Sequence, residues 1–297
     1  MYSNIYSSMY PGLIIFIIDQ SEIMNNQYGT STSIETASVL VNTFISDLLL
    51  RCICGEQIKR WAYIVVIGYE EDFNSGVNIL LSGWIDDIAN QGQESVKTDS
   101  SQIEQASNEY LEFVTLQTNG IHNFQLNALE LACHLLTEWK GALMNRNIAH
   151  MPVPLLLNIS SGTLCNTEIY DDLGKKVIEM KDRIDSFVMP DGSPLICNII
   201  LDKESTPSMF PHQCPSREEE ACLFNLSSTI PKTLINYYNW GYAYDLNNSA
   251  WLKGKERLLL SNMPVDKIKA FCSSLIGFYT HEWCGMCVGQ PNNLLDE

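Results

Sequence analysis

Leu13-Ile-Ile-Phe-Ile-Ile-Asp19-Gln-Ser21-Glu-Ile-Met24 is the stretch that decides the fold. Six consecutive apolar residues end on an acid, and a hydroxyl side chain follows two positions later. An apolar run of this kind predicts a strand that is buried on both faces, as in a parallel sheet covered by helices. The polar residues after it then lie at the carboxyl edge of the sheet, where open α/β folds bind their ligands.

The rest of the chain alternates between strand and helix patterns, which favours one doubly wound α/β domain with a mainly parallel central sheet. We expect this single domain to span residues 1–275, with a polar insertion at 91–117 and a cysteine-containing tail at 276–297. The further predicted strands are 61–68, 77–81, 153–159, 195–201 and 258–260, and the predicted helices are 34–51, 124–143, 170–187, 218–225 and 264–275.

Composition narrows the class of partner. The chain has 18 basic and 35 acidic residues, a net charge of −17, and such a chain repels phosphate backbones and anionic membranes. The first twelve residues carry no Lys or Arg, so they lack the positive region of a signal peptide. We therefore expect a cytoplasmic protein with reduced cysteines. We also expect its partner to be a protein, not a nucleic acid or a membrane.

The loop Asp19-Gln-Ser21-Glu-Ile23 resembles the first metal-site loop of von Willebrand factor A (vWA) domains, whose pattern is Asp-x-Ser-x-Ser. The resemblance covers nearly the whole chain. Within the family, the chain is similar to a bacterial, cytoplasmic subgroup of stand-alone vWA proteins, the partners found in tellurite-resistance and stress-response operons. It implies a Rossmann-like vWA fold. The stretches that are specific to this subgroup are Ile67-Gly-Tyr69 and Leu226-Ser-Ser-Thr-Ile-Pro231.

In the vWA family, a magnesium ion is held at the carboxyl edge of the sheet by oxygens from three loops. The first loop supplies an Asp and two Ser, the second a Thr and the third an Asp. In this chain the resemblance retains Asp19 and Ser21 but places Ile23 at the second serine, His122 at the threonine and Ser161 at the second aspartate. Because Mg²⁺ demands near-octahedral oxygen ligands, the resemblance implies a degenerate metal site.

Two residues keep a metal-binding alternative open. Thr118 supplies a hydroxyl if the register of the second loop shifts, and Glu22 supplies a carboxylate if its side chain turns inward. The alternative is a competent Mg²⁺-dependent ligand-binding domain.

The predicted function is a non-catalytic adaptor in a stress-response or defence complex, without a cofactor. The residues expected to contact the partner are those at the degenerate edge: Glu22, Ile23, His122 and Ser161. A second candidate interface is the aromatic cluster at 237–244. The chain has no nucleophile elbow, phosphate-binding loop, dinucleotide fingerprint or zincin motif, which argues against an enzyme.

The tail offers a further alternative of a different class. His281, Cys284 and Cys287 form a His-x-x-Cys-x-x-Cys triplet, which supplies three of the four ligands of a tetrahedral zinc site. A zinc or redox protein, or an enzyme that uses one of these thiols, therefore stays open as an alternative.

Overall fold

The computed structural model of the chain describes residues 2, 4–69, 76–90, 111–118, 125–143, 150–162, 170–235 and 255–280. Seven strands form one sheet: β1 (Gly12–Asp19), β2 (Ala62–Tyr69), β3 (Val77–Trp84), β4 (Leu155–Ser160), β5 (Leu195–Ile200), β6 (Ser208–Met209) and β7 (Leu259–Ser261). The helices are α1 (Ser33–Cys52), α2 (Gln125–Leu143), α3 (Tyr170–Asp185), α4 (Glu218–Leu226) and α5 (Val265–Thr280).

The order of the strands in the sheet is β6-β7-β5-β4-β1-β2-β3. The five inner strands run parallel, and β3 and β6 run antiparallel at the two edges. Strand β1 lies in the middle, with Ile15 opposite Val65 of β2 on one side and Leu156 of β4 on the other. A mixed, mainly parallel sheet flanked by helices confirms the predicted α/β class.

The side chains of β1 explain why both faces of the sheet are covered. All eight residues of β1 are buried, and successive side chains point to opposite faces. Phe16 packs with Phe44 of α1 and belongs to the core under α1 and α5, whereas Ile15 and Ile17 belong to the core under α2, α3 and α4. The continuous apolar run is therefore the sequence of a strand with no solvent-facing side.

Helix α1 starts at a capping box, since Thr32 Oγ1 accepts from the Glu35 amide and the Glu35 carboxylate accepts from the Thr32 amide. Among the described residues, α1 is the one helix long and apolar enough to pass a test for membrane spans. Twelve of its twenty residues are buried, and a core helix of a soluble fold passes the same test.

Strand β3 and helix α5 differ from their predicted bounds by three residues or more, and one strand of the sheet was not predicted. Strand β3 runs to Trp84, three residues beyond the predicted end, and β6 at Ser208–Met209 was not predicted. Helix α5 continues to Thr280, five residues into the segment predicted as the tail, because Ile276 and Tyr279 are buried. Tyr279 stacks on Tyr6, with ring centroids 4.8 Å apart, so this last turn belongs to the packed domain.

Candidate functional site at the carboxyl edge of the sheet

Three loops meet where the central strands end. The first loop follows β1, the second contains Gln117 and Thr118, and the third follows β4 at Ser161 and Gly162. Because β1 and β4 are parallel neighbours, their carboxyl ends lie side by side. This adjacency brings residues that are far apart in the sequence into one site.

Asp19 is the centre of the site and is completely buried. Its Oδ1 accepts from the Ser21 amide at 3.0 Å. Its Oδ2 accepts from the Ser161 hydroxyl at 2.7 Å and from the Ser161 amide at 3.2 Å. A buried carboxylate is costly unless such bonds satisfy it, and here three neutral donors do so.

Ser21 contributes differently from Ser161. Its amide bonds to Asp19, but its hydroxyl oxygen is buried and has no hydrogen-bond partner among the described residues. A buried hydroxyl without a partner normally costs free energy, and such groups are often found at functional sites. Among the described residues of the first loop, the Ser21 hydroxyl and Gln20 Oε1 are therefore both buried without a hydrogen-bond partner.

The first loop continues as a 3₁₀ helix at Glu22–Asn25. Glu22 is exposed and Ile23 is half-buried, so both side chains are presented at the rim of the site rather than in its centre. Asn25 Oδ1 accepts from the Thr118 hydroxyl at 3.0 Å. This contact ties the second loop to the first and engages the Thr118 hydroxyl outside the Asp19 cluster.

Gln20 forms the second tie between these loops, and it depends on a glycine. Its Nε2 donates to the Gln117 carbonyl at 2.7 Å. Gly68 of β2 lies beneath the side chain of Gln20, and a Cβ at Gly68 would stand 1.8 Å from Gln20 Oε1. The glycine of the Ile67-Gly68-Tyr69 stretch is therefore a packing requirement of the site.

A cavity of about 150 Å³ lies beside this centre, between the loops that follow β1, β4 and β5. Asp202 in its lining accepts from Arg217 at 2.7 Å, and this hydrogen bond raises the pKa of the Arg217 guanidinium. The residues that line the cavity are Ile23, Asn26, Gln27, Ser33, Ser161, Leu201, Asp202, Lys203 and Glu204.

Tyr28 closes the side of this region near the loop after β5. Burial, with the Asp202 carboxylate nearby, raises the pKa of Tyr28 to about 12. The Tyr28 hydroxyl therefore stays protonated at neutral pH, and it donates to the Met263 carbonyl at 2.6 Å.

The described residues do not match the ligand set of a magnesium ion. Asp19 is the single carboxylate at the centre, and both of its oxygens already accept hydrogen bonds. Ser161 adds no charge, and Ile23 has no side-chain oxygen. Mg²⁺ needs near-octahedral oxygen ligands and loses its bound waters reluctantly. One carboxylate that already accepts hydrogen bonds and two serine hydroxyls do not replace those waters well.

Several predicted residues lie outside the described part of the chain. These are His122 of the second loop, the aromatic cluster at 237–244 and the tail residues His281, Cys284 and Cys287. Within the described residues, no group of three or more His, Cys, Asp or Glu side chains is placed to hold a metal ion. The zinc alternative in the tail stays a prediction.

Sequence reasoning missed two features near the site. One is the role of Gln20, for which Gly68 is the only signal in the sequence. The other is a buried amide pair, in which Asn158 Nδ2 donates to Asn198 Oδ1 at 2.6 Å across β4 and β5. Both asparagines interrupt apolar strands, and buried polar residues of this kind need partners that only the sheet register supplies.

No protein-family model matches the chain, and no curated protein sequence matches it. Among solved structures, the pilus adhesin SpaC from Lactobacillus rhamnosus GG matches with a TM-score of 0.50 and 10% identity. The match covers 93% of this chain and 31% of SpaC, so this chain spans about a third of that protein.

Two further structures are more distant. BatB from Bacteroides thetaiotaomicron has a TM-score of 0.42 and 11% identity, with 90% of this chain and 98% of BatB covered. The manganese-loaded TRAP protein from Plasmodium vivax has a TM-score of 0.36 and 12% identity, with 66% of this chain and 59% of TRAP covered. At these identities a likeness concerns the fold alone, which here is a mainly parallel sheet flanked by helices.

Proposed function

We propose that this chain is a protein-interaction module that works without catalysis and without a resident metal ion, with the carboxyl-edge loops as its contact surface. The observation that carries the proposal is the Asp19 cluster. A carboxylate that accepts three internal hydrogen bonds orders the loops by itself, so the edge is formed before any ligand arrives.

The rim of this edge supplies the contact residues. Glu22 and Ile23 stand beside the cavity that Ser161 also lines, and they present a charge and an apolar group at one place. The proposed contact surface also includes His122, which was predicted from the sequence to contact the partner. A protein partner suits this mixed surface better than a nucleic acid, because the chain carries a net charge of −17.

We assign the module to the cytoplasm, within a bacterial stress-response or defence complex. Five described cysteines, Cys133, Cys197, Cys214, Cys222 and Cys272, are free thiols, which supports a reducing compartment. SpaC, the structure of similar fold, is a pilus adhesin, so a protein of this fold serves in adhesion. That likeness supports a binding role and gives no partner.

The test is an affinity capture from the native host with matched variants. We expect the wild-type chain to retain a partner that the double variant Glu22→Lys/Ile23→Asp loses. A control variant with Ile178→Asp and Glu179→Lys, at exposed positions of α3, should retain it. A partner that both variants retain would place the contact surface elsewhere.

A second candidate function is a Mg²⁺-dependent binding domain, and the unpartnered Ser21 hydroxyl favours it. Thermal unfolding in millimolar Mg²⁺ or Mn²⁺, against EDTA, separates the two candidates. A ligand at 100 times its dissociation constant stabilises the folded state by about 2.7 kcal/mol, so a working site would be visible. We expect no shift. A rise that Asp19→Ala abolishes would replace the metal-free proposal with this one.

A third candidate is a zinc or redox role for His281, Cys284 and Cys287. Elemental analysis of the purified chain distinguishes it from the first two candidates. Stoichiometric zinc that is lost in a Cys284→Ser/Cys287→Ser variant would establish it.

A further inference from the structure

A stretch of chain before the second loop lies against helix α1 in extended form. Residues 111–118 belong to no helix or strand. Val114 and Leu116 are buried, each with 7% of its surface exposed. Thr115 and Gln117, which alternate with them, are exposed. This alternation is typical of an extended chain that lies with one face on the protein. Because no strand pairs with this stretch in the described part of the chain, side chains must bind its main chain.

Asn42 of α1 binds the main chain of this stretch and is completely buried. Its Oδ1 accepts from the amides of Phe113 at 2.7 Å and Val114 at 3.1 Å, and its Nδ2 donates to the Val114 carbonyl at 2.9 Å. A second donation from Nδ2, to the Ser38 carbonyl at 3.0 Å, fixes the orientation of the amide. A buried side-chain amide needs partners for both its oxygen and its nitrogen, and the main chain at 113–114 supplies them. One side chain thus takes the place of a neighbouring strand.

Two further hydrogen bonds tie the same stretch to the first loop of the site. Gln20 Nε2 donates to the Gln117 carbonyl at 2.7 Å, and the Thr118 hydroxyl donates to Asn25 Oδ1 at 3.0 Å. The two residues of the first loop that make these bonds flank the proposed contact residues at 22–23. The position of the stretch on α1 therefore affects both sides of the contact surface.

We propose that residues 113–118 form a strap, positioned by Asn42, whose seating on α1 regulates the contact surface at the carboxyl edge. The inference rests on the proposed function, because it concerns the same loops. With the strap seated, Gln20 and Asn25 each have a partner on it, and the loop between them is held in place. With the strap released, both side chains lose that partner and the first loop loosens. By linkage, a protein that requires the ordered loop also favours the seated strap.

The strap is able to open while the rest of the fold stays intact. Within the described residues, its main chain makes no hydrogen bond to the main chain of the sheet, and two of its six residues are buried. Segments with few buried apolar contacts open at a lower free energy than the core does. Asn42 supplies three of the five described hydrogen bonds between the strap and the rest of the chain. Its loss should therefore shift the equilibrium toward the open strap.

A cysteine in place of Leu116 reports the opening, because Leu116 is buried and makes no hydrogen bond to Asn42. In the full chain with Leu116→Cys, the rate at which iodoacetamide alkylates this thiol is measured by site-resolved mass spectrometry. Asn42→Ala should speed the reaction more than about tenfold, and Thr118→Val about two- to tenfold, because they remove three hydrogen bonds and one. Thr36→Val is the matched control and should leave the rate unchanged, since Thr36 is buried on the same helix and makes no described hydrogen bond to the strap.

Hydrogen exchange in the first loop measures the coupling between the strap and the contact surface. The amides of Met24 and Asn26 donate to the carbonyls of Ser21 and Ile23, each at 3.0 Å and within the loop itself. We expect Asn42→Ala to speed the exchange of these two amides about two- to tenfold, while the amides of β1 exchange as before. A role of the asparagine confined to the packing of α1 would not change the loop amides separately from those of β1.

Equal alkylation of the reporter thiol in the Asn42→Ala and Thr36→Val chains, both shown by circular dichroism to be folded, would overturn the proposal. So would an opened strap that leaves hydrogen exchange in the first loop unchanged. Thr118→Val, at a half-exposed position, carries both measurements should Asn42→Ala fail to fold. Neither measurement requires a partner. A failure of the proposed contact surface is therefore seen separately, in the capture experiment with the double variant at 22–23.

Discussion

The Ser161 hydroxyl and Asp19 Oδ2 are 2.7 Å apart, although the two residues are 142 positions apart in the chain. The resemblance to vWA domains aligns Ser161 of this chain with the second aspartate of the family's metal site. A hydroxyl at that position donates a hydrogen bond to Asp19, whereas a second carboxylate would repel it unless a cation or a proton lay between them. On that alignment, the serine satisfies Asp19 internally at the position where a second aspartate would require a cation.

The first prediction concerns this bond. Ser161→Ala should lower the free energy of unfolding by about 1.5–3 kcal/mol, because a buried carboxylate loses a hydroxyl donor. Ser21→Ala is the matched control at the same centre. Since its hydroxyl has no described partner, the change should be close to neutral. Urea unfolding measures both, and equal costs would mean that the Ser161 hydroxyl does not stabilise Asp19.

The second prediction concerns reconstruction of a metal site. The triple variant Ile23→Ser/His122→Thr/Ser161→Asp restores the family ligands beside Asp19 and Ser21 and should bind Mg²⁺ in a calorimetric titration. Without Mg²⁺ the Ser161→Asp change should destabilise the fold, because two carboxylates then face each other at the ends of the neighbouring strands β1 and β4. A folded triple variant that binds no metal would show that the register of the second loop differs from the family, with Thr118 as the relevant residue.

The pH dependence of Ser161→Asp follows from the same repulsion. The facing carboxylates raise one carboxyl pKa in the folded state above its unfolded value. The variant is therefore least impaired at acid pH, where that group is protonated, and loses stability as pH rises through the raised pKa. Ser161→Asn, which adds no charge, should lack this dependence. Parallel pH profiles of the two variants would contradict the repulsion argument.

The third prediction tests the packing of Gln20 on Gly68. Gly68→Ala should destabilise the chain by about 1–3 kcal/mol, because a Cβ would stand 1.8 Å from Gln20 Oε1 and displace that side chain from the Gln117 carbonyl. In the double variant Gln20→Ala/Gly68→Ala the clash with Gln20 is gone and Leu80 Cδ1, 2.9 Å from the Cβ position, remains, so the cost of the glycine change should fall without vanishing. Additive costs in this double-mutant cycle would show that Gln20 is not what requires the glycine.

The fourth prediction concerns the thiols. Burial raises the pKa of Cys272 to about 12, and it raises the pKa of Cys197 well above its ordinary value, whereas Cys214 is exposed. Iodoacetamide should therefore modify Cys214 in the native chain more than about 100-fold faster than Cys197 or Cys272. Site-resolved mass spectrometry measures the rates. Raising the pH from neutral to mildly alkaline should leave the labelling of Cys197 and Cys272 slow, and rapid labelling of Cys272 would indicate that α5 opens readily.

Much of the fold was predictable because its signals are local. A buried parallel strand must be apolar throughout, so the run before Asp19 identified the central strand without any partner being known. Periodic apolar residues are likewise a local signal, and they located helices α1 to α5 with ends displaced by a few residues. The two-residue strand β6 was not predictable, because a strand that short leaves no periodic pattern.

The features of the site likewise fall into those that the sequence predicts and those that only the tertiary structure shows. The sequence by itself determined which groups stand at the carboxyl edge, since Asp19 and Ser161 each follow a recognisable strand. Only the tertiary structure decided that Ser161 donates to Asp19, that Gln20 lies on Gly68 and that the Ser21 hydroxyl has no described partner. Those facts depend on the pairing of β1 with β4 and with β2, which join segments far apart in the chain, and no local pattern of residues encodes such a contact.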